Sequence, residues 1–60
     1  MPLSGMEMRR LYEMQGWVFV RQTGSHMVMK KNGMTFPIPN HKELKKGTEH
    51  KLLKKLREQE

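Results

Sequence analysis

Chemistry in this 60-residue chain concentrates at Gly24-Ser25-His26, a small flexible corner followed at once by an imidazole and then by an Asn32-Gly33 hairpin. A histidine side chain titrates near neutral pH and serves as general acid or general base. One reaction open to a lone histidine is metal-free cleavage of RNA, in which the substrate's own 2′-OH attacks the adjacent phosphate. The protein must take that proton, give one to the leaving 5′-oxygen and offset charge on the phosphorane. Lysines supply the positive charge, and Lys30 follows His26 on the same strand. The backbone N–H groups of Gly24 and Ser25 can meet a phosphate. Taken without context, a single histidine on a strand is an ordinary surface residue. Gly-Ser-His-Met is also a familiar expression-vector remnant, but such remnants stand at an N-terminus and this one lies between two strands.

Other candidates are weaker. His41 follows Pro39-Asn40 and offers a second proton-transfer group or a phosphate contact; the plain alternative is a loop histidine. His50 reads as surface. Trp17 and Phe19 have the chemistry to stack on bases, yet their strand positions suit a core. Ser25 has no activating base within sequence reach except His26, and no Asp exists to complete a triad, which argues against a serine hydrolase. Without cysteine there is no disulfide, thiol nucleophile or common structural zinc site. The three histidines are too scattered for a local metal motif, so neither a metal nor a cofactor is expected.

The elements that must position these residues are legible. Ser4 and Glu7 form a capping box, with Leu3 able to staple onto Met8. Met8, Leu11, Tyr12 and Gln15 then keep helical spacing, so a first helix is predicted over Ser4–Gln15, stopped by Gly16. Trp17–Val20 is aromatic and β-branched and reads as a strand; the polar stretch Arg21–Ser25 reads as the turn after it. His26–Lys31 and Met34–Ile38 form a hairpin about Asn32-Gly33, since a type I′ turn needs φ > 0 at both central residues. That turn sets Lys31 opposite Met34, Met29 opposite Phe36 and Met27 opposite Ile38.

Side-chain alternation then puts Met27, Met29, Met34, Phe36 and Ile38 on a core face, and His26, Val28, Lys30, Thr35 and Pro37 on an open one. Pro37 is tolerated if its strand is an edge. Pro39–Gly47 is a polar, lysine-rich connection, and Thr48 is the expected cap of a last helix in which Glu49, Leu52, Leu53 and Leu56 mark one side. The expected fold is α+β, in the order α-β-β-β-α, with a three-stranded antiparallel sheet and both helices on one face.

Size and charge bound the function. Residues 1–60 make one domain near the lower limit for a hydrophobic core, with seven methionines doing much of the filling. The site should be a shallow surface. Net charge is +6, and it is uneven: residues 1–29 carry three Arg against two Glu, residues 30–60 nine Lys/Arg against four Glu. Such a basic half suits a polyanion, although an acidic protein would use the same field. No apolar run reaches the roughly 18 residues of a membrane span, and no signal-peptide core is present, so no membrane association and a cytoplasmic location are expected.

Two stretches carry a family resemblance. Gly16-Trp17-Val18 through Arg21-Gln22-Thr23-Gly24-Ser25-His26, and Pro37-Ile38-Pro39-Asn40-His41-Lys42-Glu43-Leu44-Lys45-Lys46-Gly47-Thr48, resemble the HicA toxins of toxin–antitoxin pairs. The resemblance spans nearly the whole chain. It implies a double-stranded-RNA-binding-domain-like (dsRBD-like) fold and a ribosome-independent mRNA endonuclease, or mRNA interferase, that halts translation. It also implies a HicB-type antitoxin that covers the active site and helps repress the shared operon, so that DNA is met only through the antitoxin.

The family's catalytic histidine maps onto His26, and its Pro-x-His element onto Pro39 and His41. RNA contacts are then expected from Gly24, Ser25, Lys30, His41, Lys45 and Lys46. Two departures stand out: Glu49-His50 replace a hydrophobic and a basic residue after Gly47-Thr48, and the tail reads Glu58-Gln59-Glu60. The alternative function is a non-catalytic RNA-binding module of the same fold, which reads A-form shape with lysines and a loop and needs no histidine. A third is an adaptor whose basic face binds an acidic protein.

Overall fold

A computed structural model describes residues 2–58 and shows the elements in the expected order: α1 (Gly5–Met14), β1 (Val18–Thr23), β2 (His26–Lys31), β3 (Met34–Pro39) and α2 (Lys46–Glu58). The strands form one antiparallel sheet in the order β1-β2-β3, which leaves His26 at the start of the central strand. The hairpin register is the expected one, with Met27 opposite Ile38, Met29 opposite Phe36 and Lys31 opposite Met34. Asn32 and Gly33 take φ of 49° and 80°, the positive pair that a type I′ turn demands. Pro37 lies on the β3 edge, where its missing N–H breaks no ladder bond.

Both helices close over the same sheet face. Met8 and Tyr12 from α1, Leu52 and Leu56 from α2, and Met27, Met29 and Ile38 from the sheet are buried together with Trp17 and Leu44. Tyr12 ties the layers: its ring meets Trp17 edge-on at 5.3 Å and stacks on Phe36 at 6.3 Å, and its hydroxyl donates to the Leu52 carbonyl at 2.9 Å. The opposite sheet face stays open, with His26, Lys30, Thr35 and Pro37 exposed and Val28 half-buried. Met34 points to the core side but remains exposed, because it sits at the hairpin end.

The ends of α1 follow the expected caps. Ser4 Oγ accepts from the Glu7 N–H and Glu7 answers to the Ser4 N–H, at 3.1 and 2.9 Å. At the other end, Lys31 Nζ donates to the Gln15 carbonyl at 2.6 Å, a cation on the negative end of the helix.

Besides one-residue shifts at the ends of α1 and β3, three features differ from expectation. Strand β1 starts after Trp17 and runs on to Thr23, through residues read as a turn. A bulge sets Val20 and Arg21 together against Val28, so the polar residues beyond it continue the ladder. The second difference is at α2. Thr48 is not its cap: the Glu49 N–H already bonds the Lys45 carbonyl at 2.8 Å, so the helix begins one turn earlier.

Tertiary anchors outweigh the local cap preference there. Leu44 is buried and its N–H bonds the Leu3 carbonyl, while the Leu3 N–H reaches the Glu49 carboxylate at 2.5 Å. The unexpected Glu49 therefore pins the chain start to α2. The third difference is Leu44 itself, a core residue inside the connection read as polar. Of the C-terminal tail, Gln59 and Glu60 lie outside the described residues.

Candidate active site

Two short connections build the site. Gly24-Ser25 is a two-residue turn that sets Thr23 opposite His26, with Gly24 at φ +59° in the glycine-first arrangement of a type II′ turn. Gln22 Nε2 donates to the Gly24 carbonyl at 3.0 Å. On the other flank His26 pairs with Pro39, and the Asn40 N–H bonds the Ser25 carbonyl at 2.6 Å, which carries the ladder one residue past the strand ends. The backbone that bears His26 is thus held from both sides. Its imidazole is exposed, and neither ring nitrogen bonds another group among the described residues. Both nitrogens are open to a ligand.

Beside the imidazole lies a shallow cleft of about 200 Å³ between the β3 edge and α2, lined by His26, Phe36, Pro37, Pro39, Thr48, Lys51 and Leu52. Thr48, Lys51 and Lys55 stand at i, i+3 and i+7 and so share one helix face. Lys55 Nζ sits 5.5 Å from the centroid of the Phe36 ring. A row of two cations therefore leads away from the histidine along the β3 edge.

The other expected site residues are divided. Gly24 and Ser25 form the turn next to His26. His41 is exposed at the same sheet end, its backbone fixed by the Gly5 N–H, which donates to its carbonyl at 2.8 Å. Lys30 shares the open face with His26 but lies four residues on, about 13 Å at roughly 3.3 Å per residue, too far to share one phosphate.

Lys45 and Lys46 are exposed at the start of α2. Lys46 borders a different hollow, with Pro2, Leu44 and Glu49, about 140° around the helix from Lys51 at 3.6 residues per turn. Lys51 is the cation that actually meets the His26 cleft. In the sequence it is one of several lysines on α2; the signal that singles it out is its place next to Leu52 and three residues after Thr48. Trp17 is buried and Phe19 is half-buried under the Arg9 guanidinium at 4.0 Å, so neither is free to stack on a base.

Two scaffold groups among the described residues have displaced pKa values. Glu7 is held below the ordinary carboxylate range, first by the Ser4 backbone N–H and then by the Ser4 hydroxyl. Burial pushes the Tyr12 phenol up to about 12. Among the described residues no three His, Asp or Glu side chains converge as metal ligands, and no helix is long and apolar enough to cross a membrane.

A family model for the HicA toxin of bacterial toxin–antitoxin systems matches residues 5–57. The chain belongs to that family. As a HicA-family protein it is the toxin of a toxin–antitoxin pair, with an antitoxin as its partner. The matched span runs from the first residue of α1 almost to the end of α2 and includes every residue of the His26 cleft. No curated protein and no solved structure matched the chain.

Proposed function

We propose that this HicA-family toxin is a metal-independent mRNA endoribonuclease that stops translation, with His26 as its general acid or base. The observation that carries the reading is the exposed imidazole with both nitrogens free among the described residues, its backbone held by the Gly24-Ser25 turn and the pairing with β3, beside a cleft on a chain of net charge +6. In the reaction the substrate 2′-oxygen forms a bond to phosphorus as the bond to the 5′-oxygen breaks. The 2′ proton passes to a base, and the 5′-oxygen receives a proton from an acid. The products are a 2′,3′-cyclic phosphate and a free 5′-hydroxyl.

His26 performs one of the two transfers. His41, at the same sheet end, a lysine or water performs the other. Lys51 stands where it can offset phosphorane charge, and the Gly24 and Ser25 backbone can meet the neighbouring phosphate. Lys30, Lys45 and Lys46 engage more distant phosphates. The partner is a HicB-type antitoxin that covers the His26 end of the sheet, and the pair acts in the cytoplasm, touching DNA only through the antitoxin.

The test is a gel assay of end-labelled single-stranded RNA in EDTA with the purified toxin and its His26→Ala variant. Cutting to 2′,3′-cyclic phosphate ends by the toxin and none by the variant is the expected outcome. Equal binding with no cutting by either protein would favour the non-catalytic RNA-binding module.

A further inference from the structure

We propose that the cleft between the β3 edge and α2 is a nucleobase slot, which seats the base next to the scissile phosphate at which His26 transfers a proton, while Lys51 and Lys55 track the strand beyond it. The inference rests on the reading of His26 as the group that meets RNA and names the part of the substrate its neighbours hold.

Three features of the cleft select this occupant. Its walls are the apolar surfaces of Phe36, Pro37, Pro39 and Leu52, against which the flat face of a base is withdrawn from water without regard to sequence. Thr48 adds one hydroxyl, able to donate to or accept from a base edge. Its volume of about 200 Å³ equals a handful of waters at roughly 30 Å³ each, the room of a single heterocycle and far less than a helix requires.

Charge points the same way. Among the described residues no carboxylate lines the cleft and Lys51 is its one permanent cation, while Lys55 continues the row over the Phe36 ring. An acidic peptide would find the cations but leave the apolar slot unfilled. A nucleotide places an anion and a flat ring side by side, as the cleft does.

The probes are two labelled decanucleotides that cannot be cut by 2′-OH attack: a mixed-sequence 2′-O-methyl RNA, and a strand of equal charge whose sugars carry no bases. With the toxin, the base-bearing probe should bind at least roughly fivefold more tightly, the ratio that corresponds to withdrawing about 40 Å² of apolar surface from water at roughly 25 cal/mol per Å². Thr48→Phe, which fills the slot, should erase the difference and leave salt-dependent binding of the baseless strand. Lys51→Gln should weaken both probes.

Amide and side-chain NMR shifts of the unaltered toxin keep the test independent of whether Thr48→Phe folds. Phe36 and Thr48 should move with the base-bearing probe and stay still with the baseless one, whereas Lys51 should move with both. Equal affinity for the two probes, or cleft signals that respond only to an antitoxin, overturns the slot. RNA cleavage with no base-dependent shift rejects the slot and leaves the nuclease. Base-dependent shifts without cleavage retain the slot and reject the nuclease.

Discussion

His26 has no structural duty that its removal would expose. Its side chain is exposed and bonds nothing among the described residues, so His26→Gln should change stability by no more than about 0.5 kcal/mol, as surface replacements do. Loss of function in that variant would then be chemical in origin. The lysines make a second prediction at this scale. Lys51→Gln should slow RNA cleavage clearly more than Lys46→Gln, since Lys51 lines the cleft and Lys46 borders another hollow; initial rates at equal protein concentration decide it.

Residue type and spacing placed His26 and its glycine-serine corner on the open face; the catalytic role proposed for the histidine rests on the family resemblance. The choice of lysine was not legible in the sequence. Charge shows that α2 is basic, but only the packing of Leu52 decides which lysines turn toward the β3 edge.

At the scale of elements, the site depends on a close approach of α1 to the end of β3. Gly5 opens α1 where a Cβ would collide with the Pro39 carbonyl oxygen and crowd the Asn40 Cα. Gly5→Ala should therefore cost about 1–3 kcal/mol, the usual range for overpacking, and displace the strand that flanks His26. Chemical denaturation together with the cleavage rate checks both effects.

The capping box adds a pH signature. Glu7 titrates below its ordinary value in the folded state, so its contribution is present above the unfolded value of 4.5 and fades as pH falls through the lowered folded value. The Tm gap between the toxin and Glu7→Gln should accordingly be open at neutral pH and close on acidification.

Local signals of this kind, the Ser4 box and the Asn32-Gly33 turn, made α1 and the β2–β3 register readable. The end of β1 and the start of α2 resisted because their causes are distant in sequence. A bulge at Val20 keeps polar residues in the ladder. Leu44 and the Leu3–Glu49 contact settle where α2 begins.

For the whole molecule, Tyr12 is the common joint of sheet and helices. Its phenol is raised to about 12 by burial from an ordinary value of 10.0. Folding thus favours the neutral phenol: the stabilisation is intact below pH 10 and is lost as pH climbs toward 12. Tyr12→Phe should flatten that alkaline loss of Tm, and at neutral pH it should cost about 1 kcal/mol for the hydrogen bond to Leu52.

Architecture at this scale was legible because a one-sided sheet leaves an alternating pattern that the α-β-β-β-α order must bury. The cleft was not, because it exists only where the β3 edge meets a helix that follows it by several residues.

The central claim is that one exposed histidine performs the chemistry of this HicA-family toxin. The most direct measurement is the single-turnover rate of RNA cleavage in EDTA by the toxin and by His26→Gln, with the Tm of each recorded. A loss of about 100-fold or more at unchanged Tm is the predicted result, the scale of general acid–base catalysis. Undiminished cleavage by the variant would contradict it.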